Sequence, residues 1–216
     1  MVRGLAILIA AAWLASPALA ESRWVGSWAT SQQIPEERNA LAARDLDDTT
    51  LRQTVHLSLT GSALRVRLSN AFGTAPLHIA AAHIARAAAP GSDAIAATSD
   101  TALRFAGQAD VTIPPGAEYV SDPVTWTGAD IAITLYFDTA PAQQTGHPGS
   151  RTTSYLLHGD HVSDLALPGA MKFDHWFNIA GIDVQSPRGA AIVALGDSIT
   201  DGRGSTTNAN DRWTDA

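Results

Sequence analysis

Ser198 is the residue of this sequence best placed for nucleophilic chemistry. It lies in Ala190–Gly202, AAIVALGDSITDG, where an apolar run leads directly into Gly-Asp-Ser. A serine hydroxyl is a weak nucleophile, so it needs a base to remove its proton and hydrogen-bond donors for the oxyanion that forms. A buried strand before it and a helix start after it would hold its backbone and direct free amides at a reacting group. The sequence therefore predicts Ser198 as a nucleophile and its own backbone N–H as an oxyanion donor.

The neighbours of Ser198 are expected to shape the turn that carries it. Gly196 permits a tight exit from the preceding strand because it has no side chain. Asp197 and Asp201 are predicted to hydrogen-bond nearby backbone amides rather than to act as acids or bases. The pattern is not the Gly-x-Ser-x-Gly elbow of α/β-hydrolases, because residue 200 is Thr.

The elements that must position this serine change character near residue 187. Before it, short runs with period-two alternation are separated by turn residues, which is typical of an antiparallel β-sandwich or jelly roll. AAIVAL, residues 190–195, does not alternate and favours a strand covered on both faces, as in a parallel sheet. NDRWTDA, with an N-cap candidate at Asn210 or Asp211, favours a first helical turn. We therefore predict a mainly β fold, with a β-sandwich over 21–186 and a linker plus the first strand and loop of an incomplete α/β domain over 187–216.

Two stretches of the β region have patterns that predict particular local structures. In VHLSLTGSALRVRLSN, apolar residues recur with period two on either side of Thr60-Gly61-Ser62, which predicts a β-hairpin with one buried face. The Ala-rich stretch 80–97 has helical propensity, but Pro90-Gly91 interrupts it, and we expect a strand followed by a loop.

Composition and charge restrict the possible partners. The 216 residues carry a formal net charge of -7 at pH 7, which argues against nucleic acid or an anionic membrane as a partner. The absence of cysteine excludes disulfides, thiolate metal sites and a lipid anchor on cysteine. MVRGLAILIAAAWLASPALA has a basic start, a short apolar stretch and small residues before a cleavage site after Ala20. It predicts a secretory signal peptide over residues 1–20, with a buried N-terminal helix as the alternative, and hence a secreted, periplasmic or extracellular protein.

The segment VALGDSITDG resembles the first sequence block of the SGNH, or GDSL, serine esterases and acylhydrolases. Four further stretches resemble a subgroup of secreted bacterial members, in which an all-β domain precedes the hydrolase domain: WVGSWATSQQ, LRQTVHLSLTGSALRVRLSNAFGTAPL, VTIPPGAEYVSDPV and ALGDSITDGRGSTTNANDRWTD. The resemblance implies a flavodoxin-like parallel sheet, Ser198 as the nucleophile with its amide as one oxyanion donor, and neither a metal nor a cofactor. In the family, a later glycine and asparagine complete the oxyanion site, and the base is the histidine of an Asp-x-x-His motif.

This sequence has no histidine after Ser198 and no Asp-x-x-His. The resemblance therefore implies that the chain is the N-terminal portion of a longer secreted esterase, inactive or nearly so by itself. The implied reaction is hydrolysis of a carboxylic ester, on a small molecule or an acylated polysaccharide, through an acyl-serine. The alternative is a non-catalytic β-sandwich module that binds carbohydrate or is structural.

Three other groups of residues have both a functional and a structural interpretation. In LLHGDHVSD, His158 and His161 beside two aspartates could bind a metal, but they match no metal motif, and a solvated loop is favoured. His175 could serve as the base for Ser198 only if the β domain folded over the serine. Four tryptophans could form a sugar-stacking surface but are favoured as parts of the sandwich core: Trp24, Trp28, Trp126 and Trp176.

Overall fold

A computed structural model describes residues 22–215 of the chain. Within this range there are fifteen strands: β1 (Arg23–Ala29), β2 (Thr49–His56), β3 (Ala63–Ser69), β4 (Leu77–Ile79), β5 (Ala81–Arg86), β6 (Thr101–Ala102), β7 (Val111–Ile113), β8 (Glu118–Val120), β9 (Val124–Thr125), β10 (Asp130–Phe137), β11 (Gly146–Pro148), β12 (Ser154–His158), β13 (Met171–Phe173), β14 (His175–Phe177) and β15 (Ile179–Ser186). The helical elements of the same range are short: α1 (Ala43–Leu46) and 3₁₀ helices at Glu37–Asn39, Ala97–Ser99 and Trp213–Asp215. The predicted signal peptide, residues 1–20, lies outside the described residues.

Two antiparallel sheets contain most of these strands. The first has the order β1-β15-β3-β8, with β9 also paired to β3, and the second has the order β13-β12-β2-β10-β5-β6. Two smaller sheets pair β11 with β14 and β4 with β7. The prediction of a mainly β, sandwich-type fold is confirmed. The start of an α/β domain is not seen, because residues 190–196 form no strand.

The hydrophobic core lies between the two large sheets. From the first sheet, β3 contributes Leu64, Val66 and Leu68, none of which is exposed. From the second sheet, the alternate residues Ile131 and Ile133 of β10 face the same core and are equally buried. Period-two alternation therefore places one apolar face of each sheet against the other, as the sequence pattern predicts.

The predicted hairpin of residues 55–68 is wrong, although its apolar residues are buried as expected. Its two halves, β2 and β3, belong to different sheets. The amide of Leu57 still donates to Ala129 beside β10, whereas that of Ser62 donates to Gln185 of β15, so the chain changes sheet between them. Gly61 permits this crossing, because a β-carbon there would lie 2.4 Å from the Gln185 carbonyl oxygen. A hairpin and a sheet-to-sheet crossing bury the same face in one core, so alternation cannot distinguish them.

The Ala-rich stretch 80–97 is a strand followed by a loop, and that prediction is confirmed. Strand β5 begins at Ala81 and ends at Arg86. The loop that follows, 87–96, covers the outer face of the six-stranded sheet, where Ile95 packs against Ala85 and Ala132.

A fully buried arginine ties two loops to the outer face of that sheet. Arg52 of β2 donates to the Asp93 carbonyl at 2.6 Å and to the Asp164 carbonyl at 2.7 Å. Its Nε donates to the Thr134 hydroxyl at 2.9 Å. Burial lowers the pKa of Arg52, and the charges of nearby carboxylates oppose this, Asp100 first among them. These partners satisfy a charge that would be costly to bury alone.

One polar side chain lies inside the core itself and fixes the position of β14. Gln53 of β2 is fully buried. Its Nε2 donates to the Phe177 carbonyl at 2.9 Å, and its Oε1 accepts from the Phe177 amide at 2.6 Å. The Gln53 amide group thus takes the place of a neighbouring strand at Phe177, because it bonds both the N–H and the C=O of that residue.

We expect Gln53→Met to lower the free energy of unfolding by about 2–4 kcal/mol, since it leaves the Phe177 N–H and C=O buried without partners. Urea denaturation monitored by tryptophan fluorescence measures this. Gln108→Met is the matched control, because Gln108 is exposed and should change stability by no more than about 0.5 kcal/mol. Equal effects of the two substitutions would contradict the role assigned to Gln53.

Candidate functional site

The segment that leads to Ser198 leaves the sandwich after β15 and is exposed to solvent. Ile192, Val193 and Leu195 are 96%, 91% and 99% exposed. Residues 190–196 pair with no strand of the described chain. The apolar run, which the sequence predicts as a strand buried on both faces, is therefore neither a strand nor buried.

Ser198 lies in a series of turns closed by backbone hydrogen bonds. The Asp201 amide donates to the Asp197 carbonyl at 3.1 Å, and the Arg203 amide donates to the Ser198 carbonyl at 2.7 Å. The Asp197 side chain also takes part, because its Oδ1 accepts from the Ile199 amide at 3.0 Å. The backbone on both sides of Ser198 is thus held by local hydrogen bonds, in the manner of an Asx-turn.

Gly196 is needed in this turn for space rather than for an unusual backbone conformation. A β-carbon at position 196 would lie 2.2 Å from Thr200 Oγ1 and 2.6 Å from its Cβ. Any side chain there would displace Thr200 and with it the turn that follows Ser198.

The two groups of Ser198 that chemistry would use are free. Neither its hydroxyl nor its backbone N–H makes a hydrogen bond to another part of residues 22–215, and the residue is exposed. His175, the base considered from sequence, contacts other groups: its Nδ1 accepts from the Gly149 amide at 3.1 Å and lies 3.8 Å from Asp174. Among the described residues, no hydrogen bond or ion pair joins Ser198 to a histidine.

The turn is instead joined to the sandwich by His147, which sequence reasoning did not single out. His147 Nε2 lies 2.8 Å from Asp201 Oδ1, and its Nδ1 donates to the Ser31 carbonyl at 2.6 Å. The imidazole stacks on Trp176, its cross-strand neighbour in the β11–β14 pair, with centroids 5.9 Å apart. Asp201, predicted to bond a nearby amide through its side chain, thus makes a long-range contact for which no sequence motif exists.

The charge state of His147 follows from these partners. Both ring nitrogens face oxygen atoms that accept hydrogen bonds, so the doubly protonated, cationic form of the ring is the one that satisfies both contacts. Burial works to lower the pKa of His147, but the hydrogen bond and charge of Asp201, together with the Ser31 carbonyl, raise it above its ordinary value. The positive charge of Arg212 opposes this rise.

The chain after Asp201 is anchored to the sandwich at two more places. Arg212 lies over the Trp176 ring, with Cζ 5.8 Å from the ring centroid, and is paired with Asp215 at 2.9 Å. The Asn208 side chain donates to Thr153 Oγ1 and accepts from the Thr153 amide. The helix predicted to begin at Asn210 or Asp211 is represented by the 3₁₀ helix Trp213–Asp215.

The other candidate groups from sequence are dispersed. His161 Nδ1 lies 2.8 Å from Asp164, whereas His158 Nδ1 lies near Thr49 instead. Across residues 22–215, no group of three or more His, Cys, Asp or Glu side chains is arranged to hold a metal ion. None of the helices in that range has the length and apolar character needed to cross a membrane.

The four tryptophans do not form one surface. Trp126 and Trp176 belong to the core, and Trp28 packs against it edge-on to Trp176 at 4.9 Å. Trp24 lies on the outer side of the first sheet, covered by the Arg65 guanidinium at 4.6 Å. Three of the four therefore stabilise the sandwich, which removes the shared sugar-stacking surface.

The sequence matches no protein-family model, and it has no significant match among curated proteins.

Because the pKa of His147 is raised by folding, its pair with Asp201 contributes stability that is complete below the ordinary histidine pKa of about 6.5. This contribution is lost as pH rises through the higher pKa of the folded chain. We expect the wild type to lose more unfolding free energy between pH 6 and pH 9 than His147→Gln, measured by urea denaturation. The comparison cancels His78, whose pKa is raised by Asp138 in both proteins. Parallel pH curves for the two proteins would contradict this assignment.

Since Ile192 and Leu195 contact solvent rather than the core, we expect Ile192→Asp/Leu195→Asp to change the free energy of unfolding by no more than about 0.5 kcal/mol. The same change should reduce binding of a hydrophobic dye and self-association, because it removes an exposed apolar patch. Ile182→Ala, in the core, is the contrasting control and should cost about 2–5 kcal/mol. A large loss of stability in the double variant would show that the segment packs on the protein.

Proposed function

We propose that Ser198 is the nucleophile of an SGNH/GDSL-type serine esterase and that the protein acts outside the cytoplasm on carboxylic esters. The observation that carries the proposal is one turn in which three features coincide. GDSIT follows an apolar run, local hydrogen bonds hold the backbone, and the Ser198 hydroxyl and amide are both exposed and free of partners.

The chemistry assigned to this turn is acyl transfer. Ser198 Oγ attacks the ester carbonyl carbon and gives its proton to a base, and the carbonyl oxygen becomes an oxyanion that accepts a hydrogen bond from the Ser198 N–H. Collapse of this intermediate releases the alcohol, which takes up a proton, and leaves an acyl-serine. Water then attacks the acyl-serine and releases the carboxylic acid.

The described residues supply only part of this machinery. No histidine is bonded to Ser198 in the described chain, so the base and the further oxyanion donors implied by the family resemblance are assigned to no residue of this sequence. Removal of the base from a Ser-His pair costs on the order of a million-fold in kcat. We therefore expect the 216-residue chain by itself to hydrolyse esters very slowly.

The reaction defines the substrate only as a carboxylic ester. Acyl esters of small molecules and of polysaccharides both present the carbonyl that the turn would attack. The exposed position of Ser198 is compatible with either.

The test is covalent labelling with a fluorophosphonate probe, followed by mass spectrometry of the labelled peptide. It is applied to the protein at the full length that its gene encodes. We expect Ser198 to be labelled, and both the label and p-nitrophenyl acetate hydrolysis to be lost in Ser198→Ala, because that substitution removes the attacking hydroxyl.

Ser163→Ala is the matched control, since Ser163 is also an exposed serine and lies two residues after His161. It should retain full labelling. Label that persists in Ser198→Ala, or a folded complete polypeptide that takes up none, would overturn the proposed function.

A further inference from the structure

We propose that His147 is a positioning residue for the nucleophile: it holds the Ser198 turn against the β-sandwich through Asp201. The inference rests on the proposed function of Ser198 and assigns the β-sandwich a part in the reaction, as the support against which the nucleophile is aligned.

His147 is held rigidly by its surroundings. Its ring is 8% exposed and is stacked on Trp176. Trp176 is itself fixed, because its Nε1 donates to the Thr54 carbonyl at 3.1 Å and its ring meets Trp28 edge-on. The imidazole therefore presents Nε2 in one direction from the rigid part of the molecule.

Asp201 connects His147 to the backbone on both sides of Ser198. The side chain of Asp201 meets His147 at 2.8 Å, and its amide donates to the carbonyl of Asp197, the residue directly before Ser198. The Arg203 amide donates to the carbonyl of Ser198 itself, on the other side of the serine. A displacement of Asp201 would therefore rotate the peptide units on both sides of the serine.

A second contact, between Gly202 and Arg212, supports the same turn. Gly202 is buried against Arg212, and a β-carbon there would lie 2.6 Å from Arg212 Cδ. Arg212 is held by Asp215 and donates to the Ser150 carbonyl at 3.2 Å. Positions 201 and 202 are thus held from two directions by the sandwich and by the residues that pack on it.

The contacts of His147 argue against its being the base itself. Its Nδ1 is engaged by the Ser31 carbonyl and its Nε2 by Asp201, so neither nitrogen is free to accept a proton from Ser198. The charged groups that face it are Asp201 and Arg212; Ser31 offers only a carbonyl, and Trp176 is uncharged. Its effect on the serine is therefore one of alignment, which is sensitive to displacements of an ångström.

The experiment compares His147→Ala with the wild type in the polypeptide of the complete reading frame. We expect kcat for p-nitrophenyl acetate and the rate of fluorophosphonate labelling to fall about tenfold to a hundredfold, with KM nearly unchanged, because alignment rather than binding is lost. His147→Gln, whose amide can still donate to Asp201, should recover part of kcat. His147→Ala/Asp201→Ala should be no slower than His147→Ala, since both remove the same contact.

A readout independent of catalysis is amide hydrogen exchange in residues 197–203. We expect exchange there to become at least about tenfold faster in His147→Ala, because the turn loses its contact with the rigid sandwich. The matched control is His83→Ala, which removes a similar His–Asp pair, 3.0 Å from Asp100, far along the chain from the turn. That control should leave both kcat and exchange in 197–203 unchanged.

The outcomes separate the two proposals. Labelling of Ser198 at the wild-type rate in a folded His147→Ala, with unchanged exchange in 197–203, overturns the positioning role and leaves the esterase proposal intact. A wild type that is never labelled overturns the esterase proposal, and with it any positioning role for His147 in that reaction.

Discussion

The pair of hydrogen bonds between the Gln53 side chain and the Phe177 backbone is the interaction on which the candidate site depends. It lies in the apolar core, where water cannot replace either bond. It fixes β14 against β2, and the Trp176 indole strengthens the same connection through the Thr54 carbonyl. Because β14 pairs with β11, which is also joined to Gln33 by two backbone hydrogen bonds, this core contact contributes to the position of His147.

A series of contacts leads from the core to the serine turn, and each group in it is less buried than the one before. Trp176 belongs to the core, His147 stacks on it near the surface, and Asp201 contacts His147 from an exposed turn. The serine itself is exposed, with both its hydroxyl and its amide free. This gradient combines a rigid support with an accessible hydroxyl group, which is what the proposed nucleophilic catalysis requires. The contrast with residues 190–196 is clear: there, large apolar side chains have no such support.

Sequence patterns were informative about local spacing and uninformative about contacts between distant segments. Alternation in β3 and β10 indicated the buried faces correctly, because burial of a face depends only on the spacing of apolar residues along a strand. The same alternation could not show that β2 and β3 lie in different sheets. Nor could it reveal that Arg52 and Gln53 are fully buried, since the carbonyls and amides that satisfy them come from distant segments. The contact of His147 with Asp201 was missed for the same reason.

The sequence by itself determined the mainly β character of the protein and the faces of its strands that are buried, and it supplied the turn residues Gly196, Asp197 and Ser198 on which the proposed nucleophilic chemistry rests. These depend on local spacing and on the conformational properties of single residues. Only the tertiary structure decided which strands share a sheet, which polar side chains are satisfied in the core, and which residue of the sandwich meets the serine turn. Those outcomes depend on groups far apart in the chain, whose hydrogen bonds form only once the two sheets have packed.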